Sequence, residues 1–191
     1  TKVDLSSSDT GPWAKGFRHA LEVKNGNQSS GAQGADKCEI QYKTEAMDIA
    51  NSGWDYTSAS SYITLSFWIK SSVAQNFYGH LTSDDGTAQN YPFETGSLSA
   101  NTWTKITKVI PGNTNLQFNN DTGQGLAIRW GAFYGTDVTA TPSLNTWAAH
   151  SASAVTPANT STWWTTNDAT FQLTGVQLEV GIAATEFEHR R

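Results

Sequence analysis

The stretch YITLSFWIKSS, residues 62–72, decides the fold class. Ile63, Leu65, Phe67 and Ile69 fall on one side of an extended chain, and Thr64, Ser66, Trp68 and Lys70 fall on the other. A period of two is the mark of a strand with one face buried, because successive side chains of a strand point to opposite sides. Working outward, the same alternation returns in HALEVKN (19–25), CEIQYKT (38–44), TWTKITKVIPG (102–112), GLAIRWGAFYG (125–135) and ATFQLTGVQLEVG (169–181). In the last of these the apolar parity changes at Thr174-Gly175. One extra residue beside a glycine is how a β-bulge reads in sequence.

Turn-forming clusters separate these strands: KNGNQSSGAQG, TSDDGTAQN, NNDTGQG and GTDVTATPS. TEAMDIANSG (44–53) could be helical for a turn or two. Many strands joined by Gly- and Asn-rich turns, without alternating helices, predict an all-β antiparallel β-sandwich. A jelly roll is the favoured topology, with an immunoglobulin-like Greek key as the alternative. Ile63, Leu65, Phe67, Ile128, Leu173, Val176 and Leu178 are its expected core. The 191 residues suffice for a core that folds without cross-links, and Cys38, the single cysteine, excludes an internal disulfide.

Charge and hydropathy narrow the function classes. The net charge is −5, and no basic block exceeds Arg190-Arg191, so a nucleic-acid surface is not expected. No apolar run approaches a membrane span of about 18 residues or more. The chain begins at Thr1 in a polar run, which suggests a fragment or a processed protein.

The catalytic motifs are weak. Asp121-Thr122-Gly123 matches the aspartic-protease tripeptide, yet it sits among Asn and Gln as a solvated turn would. Asp84 and Asp85 could hold Ca²⁺, but no further spaced acids accompany them, and no cofactor is expected. His19, His80, His150 and His189 lack metal-ligand spacing. No G-x-S-x-G elbow is present, and Gly123-x-Gly125 lacks the third glycine of a dinucleotide site. Nothing pairs Glu45, Glu94, Asp137 or Asp168 as glycosidase carboxylates. Asn27, Asn120 and Asn159 open sequons that chance explains in a Ser/Thr-rich chain. A non-enzymatic protein is expected.

The tryptophans are the positive signal. Trp68, Trp103 and Trp130 lie in or beside strands and read as packing residues. Trp147, Trp163 and Trp164 lie in SLNTWAAHSASAVTPANTSTWWTTND (143–168), where a core strand is hard to draw. Exposed indole faces stack on sugar rings while polar neighbours bond the hydroxyls. Trp147, Trp163 and Trp164, with Tyr134 and Asp137, are therefore the candidate glycan-binding surface. The alternative is that these indoles cap the sandwich or fill a subunit interface.

YITLSFWIKSS, NTWTKITKVIPGNT, GLAIRWG, LNTW and FQLTGVQLEVGIAATEFEHR, in this order, resemble a module of bacteriophage tail fibres and other virion structural proteins, aquatic phages especially. The module is also similar to the jelly-roll carbohydrate-binding modules of glycoside hydrolases. The resemblance runs from Phe17 to Arg190, with Glu186 standing where the family has proline. It implies a non-enzymatic virion-surface protein, a tail fibre or similar appendage, that acts as a homotrimer. Its partners would be other virion proteins and a host surface glycan, with no nucleic acid and no membrane insertion. Two other roles are open: a purely structural capsid-decoration or head-fibre protein, and a carbohydrate-binding module of a secreted bacterial enzyme. The resemblance divides the chain into a polar connector (1–16), the sandwich (17–186) and a charged exit segment (187–191).

Overall fold

The alternating stretch forms β4 (Tyr62–Ser71), the spine of one sheet. The computed structural model of the protein describes residues 1–27 and 31–189. Its other long strands are β2 (His19–Lys24), β3 (Lys37–Glu45), β5 (Asn76–Ser83), β6 (Gln89–Ser97), β7 (Thr104–Pro111), β8 (Gln124–Tyr134) and β12 (Thr170–Val180). Short pieces complete it: β1 (Lys2–Asp4), β9 (Thr139–Ala140), β10 (Ala148–Ala149), β11 (Thr156–Pro157), α1 (Ala46–Ala50) and α2 (Thr162–Thr165). The first sheet runs β1-β2-β12-β4-β7 and the second β10-β6-β5-β8-β3, with β9 and β11 pairing alone in parallel. Every pairing within the two large sheets is antiparallel. The molecule is an all-β antiparallel sandwich, as the alternation predicts.

The inward faces of the two sheets make one core. Phe67 of β4 meets Phe93 of β6 and Trp130 of β8, with ring centroids 6.1 and 5.7 Å away. Phe77 of β5 meets Phe171 of β12 at 5.1 Å. Ile63, Leu65, Phe67, Ile128 and Leu173 are all buried. Space is tight at Gly79, in the middle of β5. A Cβ there would lie 2.4 Å from the Phe93 ring and 2.5 Å from the Arg129 carbonyl oxygen. Backbone cannot give way as a side-chain tip can, so Gly79→Ala should cost about 1–3 kcal/mol in a denaturant melt.

Two members of the expected core differ. Val176 and Leu178 are half-buried. The parity change in β12 is a bulge between Thr174 and Gln177, with Gly175 at φ 59°. Beyond it the sheets part, and Val176 and Leu178 line an apolar groove of about 650 Å³ with Leu21, Ile40, Tyr42 and Val180. They face the inside of the sandwich as alternation requires and pack against its core, but the groove leaves them partly open.

Residues 1–16 do more than connect. β1 pairs with β2, and Leu5 joins Phe17, Ala20 and Trp103 in a second apolar cluster, on which Val3, Trp13, Trp68 and Phe187 pack. Asp9 accepts hydrogen bonds from Lys70 Nζ (2.8 Å), Trp103 Nε1 (2.9 Å) and the Ser6 amide (3.0 Å). Burial works against its charge, but these donors outweigh that and hold its pKa down to about 2. The chain's last described residues fold back to the same place. Glu186 pairs with Lys15 at 3.0 Å, Phe187 packs edge-on against Phe17, and His189 Nε2 donates to the Lys15 carbonyl. Arg190 and Arg191 of the exit segment, and the Gln28-Ser29 part of the Asn27 sequon, lie outside the described residues.

Candidate functional site

The outward face of the second sheet is unusually polar and unusually buried. Alternation that sends Phe77 and Leu81 of β5 into the core sends His80 and Thr82 to the other side, and both are buried there. β6 contributes Asn90, β8 contributes Arg129, and β3 contributes Glu39 and Gln41, which its inward Ile40 separates. The cover is the segment 135–157. Backbone hydrogen bonds hold it: Gly135 N to Asp36 O, Asn145 N to Pro92 O, His150 N to Ala88 O and Val155 N to Val138 O. Between this wall and the sheet lies a cleft of about 220 Å³. Its polar lining is Lys37, Glu39, His80, Arg129, Tyr134 and His150, and Val138, Ala152 and Val155 supply its apolar side.

The polar groups are held in place by one another. Asn90 Nδ2 donates to the Val155 carbonyl at 2.9 Å, which turns its Oδ1 toward His80 Nδ1, 2.8 Å away. An amide oxygen only accepts, so His80 carries its proton on Nδ1 and keeps Nε2 as an acceptor. Burial lowers its pKa to about 4, and the positive charges of Arg129, His150 and Lys37 act in the same direction. His80 is therefore neutral at pH 7. Tyr134 donates from its hydroxyl to Glu39 Oε2 at 3.0 Å. Burial and the Glu39 charge push the phenol well above its ordinary value, so it stays a donor. Its ring lies over Gly131, where a Cβ would come within 2.0 Å of it.

Arg129 is the centre of the network. It donates to Thr82 Oγ1, and its Nε stands 3.8 Å from Glu39 Oε1. Gln41, with its amide oxygen turned toward β8, accepts from Arg129 Nε and Nη2 at 2.6 Å each. A guanidinium gripped on three sides loses little freedom when a ligand binds, which is how preorganisation raises affinity. The cleft thus offers acceptors at Glu39 and His80 and donors at Arg129 and Lys37, the set that vicinal hydroxyl groups require.

The residues singled out by the sequence do not form one platform. Trp163 is fully buried: its indole N–H donates to the Thr170 carbonyl and its backbone N–H to Gln75 Oε1, both 3.0 Å away. Trp147 is buried too, 5.2 Å from the Tyr91 ring, with its N–H on the Pro111 carbonyl at 2.7 Å. Trp164 is half-buried against Phe133 at 4.8 Å. Stacking on a sugar needs an open ring face, and packing uses the faces of Trp147 and Trp163. Trp147 and Trp163 are packing residues of the sandwich, and Trp164 keeps part of its surface open. Tyr134 belongs to the cleft, also through its wall position, while Asp137 lies exposed outside it, with its amide on the Gly34 carbonyl.

Asp84 and Asp85 are engaged locally. Asp85 accepts from the Asn119 amide and side chain, and Asp84 accepts from Gln124. Sequence reasoning missed Glu39, Gln41, His80, Asn90 and Arg129. The available signal was the run of polar outward residues on four strands that neighbour each other only in the folded sheet. No protein-family model matches the chain, and no curated protein matches it.

Proposed function

We propose that the chain is a non-enzymatic domain of a virion surface appendage that binds a glycan in the cleft on the outer face of its second sheet. The observation that carries this reading is the mutually oriented set of buried His80 and Tyr134 and half-buried Glu39 and Arg129 under the 135–157 wall. A fold has no need of so many polar groups on a covered sheet face, and burying them costs free energy unless each is bonded. Lys37 and Arg129 outnumber Glu39, so the favoured ligand is an acidic sugar. A two-carboxylate hydrolysis would need a partner for Glu39, and the cleft's described lining supplies none. Strand order supports a jelly-roll reading of the sandwich. Of the eight long strands only β5 and β6 follow one another within a sheet, and every other connection crosses between sheets.

The resemblance to tail-fibre modules supports a role on a virion, in several copies, among other virion proteins. Single sites with a dissociation constant on the order of 0.1–1 mM would suffice, since linked copies multiply avidity by about 10²–10⁴. The test is titration of uronate-containing and neutral oligosaccharides against the wild type, Lys37→Ala and His80→Gln. Removing the exposed Lys37 should weaken acidic-sugar binding about tenfold, the worth of one charge-assisted hydrogen bond. Equal binding by all three proteins, or preference for neutral sugars, overturns the site. The burial of Trp147 and Trp163 favours a second reading, a capsid-decoration or head-fibre protein with no glycan. Immunogold labelling of purified virions separates tail from capsid.

A further inference from the structure

We infer that the domain pairs with a second copy of itself along the free edge of β3, in antiparallel register centred on Gln41. Among the described residues β3 closes the second sheet, with β8 on one side and no strand on the other. It is a long edge: nine residues at about 3.4 Å each span about 30 Å. Nature blunts such edges with bulges, proline, short length or repelling charge. β3 has no proline, and where its ladder with β8 is irregular the extra residues, Ala132 and Gly125, belong to β8. The edge strand itself runs straight.

The charge pattern on this edge is self-complementary. On the outward face β3 reads Lys37, Glu39, Gln41, Lys43, Glu45. Antiparallel pairing about Gln41 sets Glu39 opposite the partner's Lys43 and Lys37 opposite the partner's Glu45. The two-fold axis repeats both contacts, giving four opposite-charge cross-strand pairs; the two between Lys37 and Glu45 join exposed charges, and in the other two Glu39 also keeps its contacts with Tyr134 and Arg129. No neighbouring register does this. Moving the centre to residue 40 sets Lys37 against the partner's Lys43, and moving it to residue 42 sets Glu39 against the partner's Glu45. Parallel in-register pairing puts every charge against its like. Protective charges alone would have no reason to follow an antisymmetric order.

The inward face fits the same register. Ile40 comes opposite the partner's Tyr42, and Tyr42, 58% exposed here, gains an apolar neighbour. Tyr42, Leu21 and Val180 rim the mouth of the groove between the sheets. The pairing brings the two groove mouths together across the axis and covers this rim. An isologous contact of this kind closes on itself and stops at two copies.

Mass in solution tests the pairing with no glycan present. Light scattering and sedimentation should give twice the chain's 20.7 kDa. The double variant Lys43→Glu/Glu45→Lys keeps composition and net charge but sets like charges opposite at all four contacts. It should raise the dimer dissociation constant by roughly a hundredfold or more. Adding Lys37→Glu makes the outer pairs opposite in sign again and should recover part of the dimer, while Glu39 keeps its contacts with Tyr134 and Arg129. Gln41→Cys in a Cys38→Ser background should form an interchain disulfide on oxidation, because Gln41 sits on the axis. This second route stands even if the charge variants fold poorly. A monomer or trimer for the wild type, a dimer indifferent to the charge permutation, or no cross-link at residue 41 overturns the proposal.

Discussion

Phe67→Ala is expected to destabilise the domain by about 3–5 kcal/mol, the cost of truncating a large aromatic in a packed core. Phe67 is wholly shielded from solvent, at 0% exposure, at the point where β4, β6 and β8 converge. Its removal leaves the Phe93 and Trp130 rings without a shared neighbour, and neither can collapse far. Phe93 is already pressed against Gly79, and Trp130 is anchored in the centre of β8. For a chain of this size each kcal/mol moves the melting temperature by about 2–4 °C, so a shift on the order of 10 °C is expected. A denaturant melt showing less than about 1 kcal/mol would mean that the inward face of β4 is misassigned.

A second large effect is acid destabilisation through His80. Its folded pKa is about 4, against 6.5 for an unperturbed histidine. Above pH 6.5 both states are neutral at this ring, and the full stability is present. As pH falls from 6.5 to 4 the unfolded chain takes up a proton that the folded one refuses. Stability then drops by up to about 1.4 kcal/mol per pH unit, about 3 kcal/mol in all, and levels off below pH 4. Burial is the main cause; Arg129 from β8, His150 from the covering segment and Lys37 from β3 add to it, and the Asn90 hydrogen bond works against it. Asp9 contributes in a lower window, with its stabilisation lost as pH falls from 3.8 toward 2. In His80→Gln the slope between pH 6.5 and 4 should flatten. A slope unchanged by the substitution would assign the acid sensitivity elsewhere.

Six of the eight long strands were legible because they rest on a local rule; β5 and β6 were not read as strands. β4 occupies residues 62–71, within the stretch where alternation is strongest, and the short α1 falls inside TEAMDIANSG. The bulge in β12 was legible from a parity change and one glycine. What alternation cannot carry is distance between layers. Val176 and Leu178 face inward as read, yet the sheets diverge around them and leave a groove. The tryptophans show a second limit. Trp163 sits among Ser and Thr, but its partners are Gln75, 88 positions earlier, and Thr170, reached around the one-turn α2. Asp9 likewise finds Lys70 from 61 positions away. The cleft was illegible for the same reason: Glu39, His80, Asn90 and Arg129 come from four strands and share no motif.

The wall over the cleft has a consequence for variation. Its course is set by backbone groups: the amides of residues 135, 145, 150 and 155 bond to main-chain carbonyls, and the Asn90 side chain reaches another carbonyl, that of Val155. None of these bonds consults the identity of the side chains on the segment. Exposed positions such as Thr136, Ala140, Ser151 and Ser153 can therefore change without redirecting the chain that bears them. The domain keeps a fixed frame beside a rewritable border, an arrangement suited to libraries built on the exposed positions of 136–153 with the buried Trp147 held constant.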